Sequence, residues 1–233
     1  MPTALITGAS AGLGEEFARQ LAGRGADLVL VARSADPLEK LAAGLRDAHG
    51  ISAEVLTADL VSPEGLQRVV ARIADAQHPI DLLVNNASAL GAEPLVRLDE
   101  LPLEGLRAAL ETNVVAVLGL VQGALPLLRI SSAGAVINLS SDAAVKAYET
   151  WGGYGASKAA LDQLSAVLAE EEPGLRVWAV DPGDMDTDLY RAAVPDDGDR
   201  RPEPGEVVPA FLRLLDERPA GGRYAAPSLV AAR

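Results

Sequence analysis

The sequence contains no cysteine, which removes disulfides, thiol nucleophiles and thiolate metal sites together. Histidine is nearly as scarce. His49 and His78 stand far apart, each in a polar segment between apolar runs, and read as solvated loop residues, so no metal centre is expected. Aromatic residues make up 3% of the chain, and a core must therefore be assembled from Ala, Val, Leu and Ile. Positive charge is short as well: 20 Lys and Arg face 33 Asp and Glu, a net charge of −13. That balance has the wrong sign for nucleic acid or an anionic membrane surface. The longest apolar stretch, Val114 to Leu128, is interrupted by Gln122 and Pro126. It falls short of the ~18 residues a membrane span requires and reads as a buried helix. Met1-Pro2-Thr3 leads straight into Ala4-Leu5-Ile6 without the charged and apolar regions of a signal peptide, so the expected location is cytoplasmic.

What the chain does have is apolar residue, 49% of the total, enough to cover both faces of a sheet. Short β-branched or Leu/Val-rich runs alternate with longer amphipathic segments. Strands are expected at Ala4–Thr7, Leu28–Ala32, Ala53–Thr57, Leu82–Val84, Ala135–Leu139, Arg176–Val180 and Gly222–Ala225. Helices are expected near Leu13–Arg24, Pro37–His49, Pro63–Ala76, Leu103–Leu128 (two run together), Ala156–Glu171 and Glu206–Asp216. Asp36-Pro37 and Ser62-Pro63 each place a capping side chain before a proline at the first helical position. The alternation predicts one α/β domain over residues 1–233. Its core is a Rossmann-type doubly wound parallel sheet of about seven strands, with helices on both faces. The one long irregular segment, residues 184–203, is rich in Asp and Pro and reads as a substrate lid or a disordered stretch.

Directly after the first strand comes Thr7-Gly8-Ala9-Ser10-Ala11-Gly12-Leu13-Gly14. Glycines there let the backbone turn tightly and approach a pyrophosphate, which the next helix stabilises through its free N-terminal N–H groups. The spacing is G-x-x-x-G-x-G, and three glycines alone could be a tight connection only. Their place between the first strand and first helix of a βαβ unit is what points to a dinucleotide. NAD-binding proteins usually carry an acid at the end of the second strand, bonded to the ribose 2′-hydroxyl. Here that region reads Val31-Ala32-Arg33-Ser34, with no acid before Asp36. Arg33 could instead pair with a 2′-phosphate through charge-assisted hydrogen bonds. NADP(H) is therefore expected over NAD(H).

Further patterns follow in chain order. Asp59-Leu60 comes after the third strand and Asn85-Asn86-Ala87-Ser88 after the fourth. Asn113 falls in the long helical region, Ser141 at the end of the fifth strand, and Tyr154-Gly155-Ala156-Ser157-Lys158 supplies Y-x-x-x-K. Pro182-Gly183 after the sixth strand leads to Met185 and Thr187. With the glycine turn, these features resemble the compact branch of the short-chain dehydrogenase/reductase family, from about Thr3 to Leu189. The resemblance implies that Asp59 and Leu60 contact the adenine and that Asn86 and Ala87 border the cofactor. It also places Pro182 to Thr187 beside the nicotinamide, with the threonine reaching its carboxamide. Ser88 departs from the family's N-N-A-G, where a glycine stands. Ser141 precedes Tyr154 by thirteen positions, the family's interval, and is preferred over Ser140 for that reason.

The implied activity is hydride transfer between a nicotinamide and a small carbonyl or secondary alcohol. Tyr154 is the expected proton donor and acceptor, although a free phenol titrates near pH ~10. Lys158, one helical turn on, would lower that value by its charge, and the resemblance also assigns it to the nicotinamide ribose. Ser141 would hydrogen-bond the carbonyl oxygen. Asn113 is implied, by the family alone, to hold a water joining Lys158 to solvent. Each residue has a blander reading: a serine satisfying a turn, a buried amide, a tyrosine and lysine sharing a helix face. Their joint appearance in order is what argues against coincidence.

Tyr148 and Trp151 could line the substrate pocket or pack against a second subunit. Glu170-Glu171-Glu172 would repel an acidic carrier protein, which favours a free small ketone, aldehyde or secondary alcohol. A homodimer or homotetramer is expected from the family, with Val114–Leu128 and Ala156–Leu168 suited to such a face. Two other functions compete. A non-catalytic NADP-binding sensor would not need Asn113, Ser141, Tyr154 and Lys158 all intact. A sugar-nucleotide epimerase or dehydratase would need a substrate domain that the roughly 45 residues after Thr187 cannot form.

Overall fold

The computed structural model describes residues 2–74 and 79–231. Seven strands form its centre: β1 (Thr3–Thr7), β2 (Asp27–Ala32), β3 (Ala53–Thr57), β4 (Leu82–Asn85), β5 (Ala135–Leu139), β6 (Arg176–Asp181) and β7 (Gly222–Ala225). They lie in the order β3-β2-β1-β4-β5-β6-β7, and every neighbouring pair is parallel. Each expected strand is present to within one residue at either end. Their apolar runs are continuous because both faces are covered, the usual condition of a parallel sheet. Side chains alternate between the two faces along β1: Ala4 and Ile6 enter one core, Leu5 the other.

The helices are α1 (Gly12–Gly23), α2 (Ala35–His49), α3 (Pro63–Ile73), α4 (Leu103–Leu110), α5 (Ala116–Leu128), α6 (Gly152–Glu171), α7 (Asp188–Ala193), α8 (Pro204–Glu217) and α9 (Ala226–Ala231). One core layer joins α1, α2 and α8 to the sheet, the other α3, α5 and α6. The chain's two phenylalanines, Phe17 and Phe211, meet edge to face at 4.9 Å where α1 crosses α8. A sequence poor in aromatics spends both of these on one helix contact.

Several boundaries differ from expectation. Asp36-Pro37 does not cap α2. The helix starts at Ala35 after Ser34, so Pro37 occupies its first turn, where an N–H has no intrahelical partner to lose. Ser62 does cap α3, accepting from the Gly65 N–H at 2.9 Å with Pro63 behind it. The C-terminal end expected for α3, Asp75 and Ala76, lies outside the described residues, as does His78. His49 closes α2 and is exposed. Helix α6 begins at Gly152, four residues before Ala156, and α8 at Pro204, behind a reciprocal capping box of Glu203 and Glu206.

The two helices expected in Leu103–Leu128 are one continuous helix of 26 residues, joined by a π-helical turn at Glu111–Val115. This overturns the short length expected from Val114–Leu128, since the whole helix is long and apolar enough to cross a membrane, and an 18-residue window of it has a mean hydropathy of 1.5. A core helix passes the same test, and here α5 packs against α3 and β4 while the π turn packs against α6.

Strand order reverses direction at β1 and β4: the chain builds outward to β2 and β3 on one side and to β5 through β7 on the other. A crevice opens at the carboxyl ends of the strands at such a switch point, and it is where ligands of open α/β sheets bind.

Candidate active site

The turn after β1 is held by contacts that only glycine permits. Gly8 has φ +64°, and a Cβ there would stand 2.8 Å from Asn86 Nδ2 and 3.0 Å from Ala87 Cα. A Cβ on Gly14 would come within 2.3 Å of the Gly8 carbonyl oxygen. Asn86 is the buttress. Its Nδ2 donates to the Thr7 and Gly8 carbonyls at 3.0 and 3.1 Å, while Thr7 Oγ1 accepts from the N–H groups of Asn86 and Ala87 at 3.0 Å. The end of β4 is thereby latched to the turn after β1. Thr7, buried and central to this latch, was not singled out from the sequence beyond its place at the strand end.

Helix α1 starts at Gly12 with Ala11 in the cap position and no side chain capping it. Its first-turn N–H groups therefore face the turn without a protein acceptor, an arrangement that suits a pyrophosphate. This cradle fits a dinucleotide. On one side of it a cleft of about 280 Å³ is lined by Gly8, Ser10, Arg33, Ser34, Asp59 and Leu60. Arg33 and Ser34 are exposed at its rim, and Arg33 forms no ion pair among the described residues. On the other side a cleft of about 220 Å³ is lined by residues including Gly12, Leu13, Asn86, Ala87 and Lys158. Tyr154, Pro182, Met185 and Thr187 line this cleft and also a third cavity of about 290 Å³, which Ser141 and Gly183 join. Thr187 caps α7 by accepting from the Tyr190 N–H at 3.2 Å, which leaves its own proton free to donate.

Tyr154 sits in the first turn of α6. Gly155 lets that turn close on the 3-10 turn Asp142–Ala144, since a Cβ there would stand 2.6 Å from the Ala143 carbonyl oxygen. That contact brings Ser141, at the start of the turn, beside the same cavity as Tyr154. Ser141 Oγ accepts from the Ala143 N–H at 3.2 Å and keeps its proton for another partner. The Tyr154 ring meets Trp151 edge to face at 5.7 Å. Lys158 stands one turn on, with Nζ 5.5 Å from the Tyr154 ring centroid and donating to the Leu139 carbonyl at 2.7 Å.

Asn113 lies behind this row, in the π turn, and lines none of the three clefts. Its Nδ2 donates to the Ala89 carbonyl and to Ser157 Oγ, both at 2.9 Å. Its Oδ1 accepts from the Ala89 N–H at 2.9 Å and from Ser88 Oγ at 3.2 Å. An amide offers two donor hydrogens and two acceptor sites, so the side chain has no capacity left for a water. The amide instead ties the segment after β4 to α6, where Ser157 Oγ donates to the Tyr154 carbonyl at 2.7 Å. Ser88, noticed in the sequence only as a departure from N-N-A-G, belongs to this network.

The electrostatics also differ from expectation. Burial pushes the Tyr154 phenol up to about 12, with the nearby polar Ser88 side chain opposing the rise and the carboxylates of Asp181 and Asp142 adding to it. Lys158 does not lower it in this state. Burial brings Lys158 itself down to about 8, partly offset by Asp162. Both shifts follow from removing the charged form from water, a property of the assembled fold that residue spacing does not carry.

Comparison with known proteins bears on the family and the fold. A family model described as short chain dehydrogenase matches residues 2–198. An uncharacterized oxidoreductase of Escherichia coli is 31% identical over 217 residues, covering 91% of this chain and 85% of that protein. A short chain dehydrogenase of Shigella flexneri, solved as a complex with NADP, superposes with a TM-score of 0.90 at 30% identity and covers 97% of each chain. One from Sphingobium yanoikuyae in complex with NADPH gives a TM-score of 0.88 at 35% identity, over 100% of this chain and 91% of that one.

Proposed function

The chain belongs to the short chain dehydrogenase family, and from that premise we propose that it is an NADP(H)-dependent oxidoreductase acting on a small ketone, aldehyde or secondary alcohol. The observation that carries the reading is Tyr154, whose hydroxyl-bearing ring lines both the cofactor-side cleft and the adjoining cavity. When bound, the dinucleotide supplies or takes the hydride; the chain must supply the rest. The turn from Gly8 to Gly14 and the uncapped start of α1 hold the pyrophosphate, and Arg33 with Ser34 the 2′-phosphate. Asp59 and Leu60 border the adenine, and Met185 and Thr187 the nicotinamide end. Ser141 Oγ donates to the substrate oxygen, and Tyr154 gives it a proton in reduction or removes one in oxidation. Lys158 binds the ribose and its positive charge favours the phenolate as proton transfer proceeds. Residues 184–203, with α7 inside them, form the lid over the substrate. The test is consumption of NADPH against a panel of carbonyls, with NADH alongside. A sensor without catalysis is the weaker reading, because the proton-handling residues are all in place.

The Lys158 shift gives this reading a pH signature. A lysine held near 8 is charged below that value and neutral above it, whereas Tyr154, near 12, keeps its proton throughout. The kcat/KM of reduction is expected to be level at lower pH and to fall by about tenfold per unit once pH passes Lys158's value. A profile still level two units above that point would contradict a role for the Lys158 charge.

The same reading includes a cytoplasmic homo-oligomer. Leu118 and Val167, each 41% exposed, lie on a shallow apolar groove between α5 and α6 that suits a second copy. Light scattering should give the mass of a dimer or tetramer for the native chain and of a monomer for Leu118→Glu. A native monomer would contradict the pairing.

A further inference from the structure

The cavity beside Tyr154 carries carboxylates and aromatic rings in a lining that also includes Leu90, Met185, Leu189 and Val194. Asp142, Asp181 and Asp184 line it with Tyr148, Trp151 and Tyr190, and among the described residues no Lys or Arg does. The cations that serve these carboxylates stand behind the wall: Lys146 is 3.5 Å from Asp142, Arg223 3.6 Å from Asp181 and Arg201 3.9 Å from Asp184. They are already shared. Arg223 lies closer to Asp162, at 2.9 Å, and Arg201 also serves Asp197 and Asp199. Six carboxylates thus divide three cations, in a chain whose net charge is −13. Burial, followed by repulsion from neighbouring carboxylates, holds the Asp181 and Asp184 carboxyls above their ordinary range.

A second observation marks this space as a ligand site. Tyr154 is more than nine-tenths buried, lines the cavity, and its hydroxyl makes no well-formed hydrogen bond to any described residue. Among the described residues no group of His, Asp and Glu is placed to hold a metal ion. An organic cation is the remaining complement. Trp151 offers an aromatic surface on the same wall, and such surfaces attract ammonium groups. Tyr148 and Tyr190 are held in place by hydrogen bonds from their hydroxyls to Asp142 and Asp197.

We infer that this cavity selects substrates bearing a positive charge, an ammonium or quaternary ammonium group next to the carbonyl or carbinol carbon. The inference rests on the proposed function for the identity of the reacting group, but not for the charge preference. It is tested by equilibrium binding to the full chain saturated with NADPH, which cannot take a hydride from an alcohol, using two isosteres: (2-hydroxypropyl)trimethylammonium and the neutral 4,4-dimethylpentan-2-ol. Anionic 3-hydroxybutyrate is the third ligand.

The cation should bind at least about tenfold more tightly than its neutral isostere, and the anion most weakly. The preference should shrink with added salt. In Asp142→Asn/Asp184→Asn, which keeps side-chain shape, the preference should fall to about twofold; unchanged circular dichroism and NADPH binding would establish that this variant folds. Equal or weaker binding of the cation overturns the inference, as does a preference that survives in the double variant. Turnover of the two matching ketones is measured separately. A preference in binding with neither ketone reduced would count against the proposed function and leave the cation site standing.

Discussion

Tyr154→Phe should lower kcat for carbonyl reduction by about a thousandfold while leaving NADPH affinity within about twofold, the range expected when a positioned general acid is removed. The substitution takes away one oxygen and keeps the ring. The edge contact to Trp151 at 5.7 Å and the packing of α6 on the Asp142–Ala144 turn should both survive, so lost folding is a poor explanation for lost activity. No other group is ready to replace the phenol. Ser141 Oγ can donate a hydrogen bond, but it has no base arranged behind it, and Lys158 is engaged with the Leu139 carbonyl. The split between kcat and cofactor binding separates this account from a structural role, which would weaken both. Turnover at the native rate in the phenylalanine variant would remove Tyr154 from the mechanism.

Arg33→Ser should raise the Kd for NADPH by about tenfold or somewhat more and leave NADH binding nearly unchanged. Hydrogen bonds to a charged group are worth about 1.5–3 kcal/mol, but Arg33 is exposed, and solvent screening places the effect toward the lower end. The same screening makes the NADPH preference of the native protein sensitive to salt. Fluorescence titration with both nucleotides, at two ionic strengths, reads the whole prediction. Equal affinities for NADPH and NADH in the native chain would mean that Arg33 does not recognise a 2′-phosphate.

The strands were legible in the sequence because a parallel sheet buried on both faces writes itself as short uninterrupted apolar runs. The glycine turn was legible for a similar reason, since Gly8 and Gly14 sit where backbone and side chain approach too closely for any Cβ. The start of α6 was not. Gly152, Gly153 and Gly155 are poor helix formers, and the turn they build is set by its packing against Ala143 and Leu101, which local propensity does not record. The π turn at Glu111–Val115 was equally hidden, because one extra residue per turn leaves little trace in an apolar pattern. It is nevertheless what places Asn113 among Ser88, Ala89 and Ser157. Asn113 itself was found by pattern, but the spending of its side-chain amide on Ser88, Ala89 and Ser157 was not legible. The pKa of Tyr154 ran against expectation because its burial, which spacing does not record, dominates the shift. Asp142 follows β5, whereas Asp181 ends β6 and Asp184 comes just after it, and the pairing of those two strands is what brings them to one wall.

In the proposed reaction Tyr154 handles the proton while a hydride passes between NADP(H) and a carbonyl. The most direct test is to supply NADPH deuterated at the transferring position, with a panel of small ketones, cationic ones included, and examine the products by mass spectrometry. The expected product is an alcohol carrying one deuterium on the carbinol carbon, formed by the native chain and lost in Tyr154→Phe. Tight NADPH binding with no deuterated alcohol from any carbonyl would contradict that reaction and favour a protein that only senses the nucleotide.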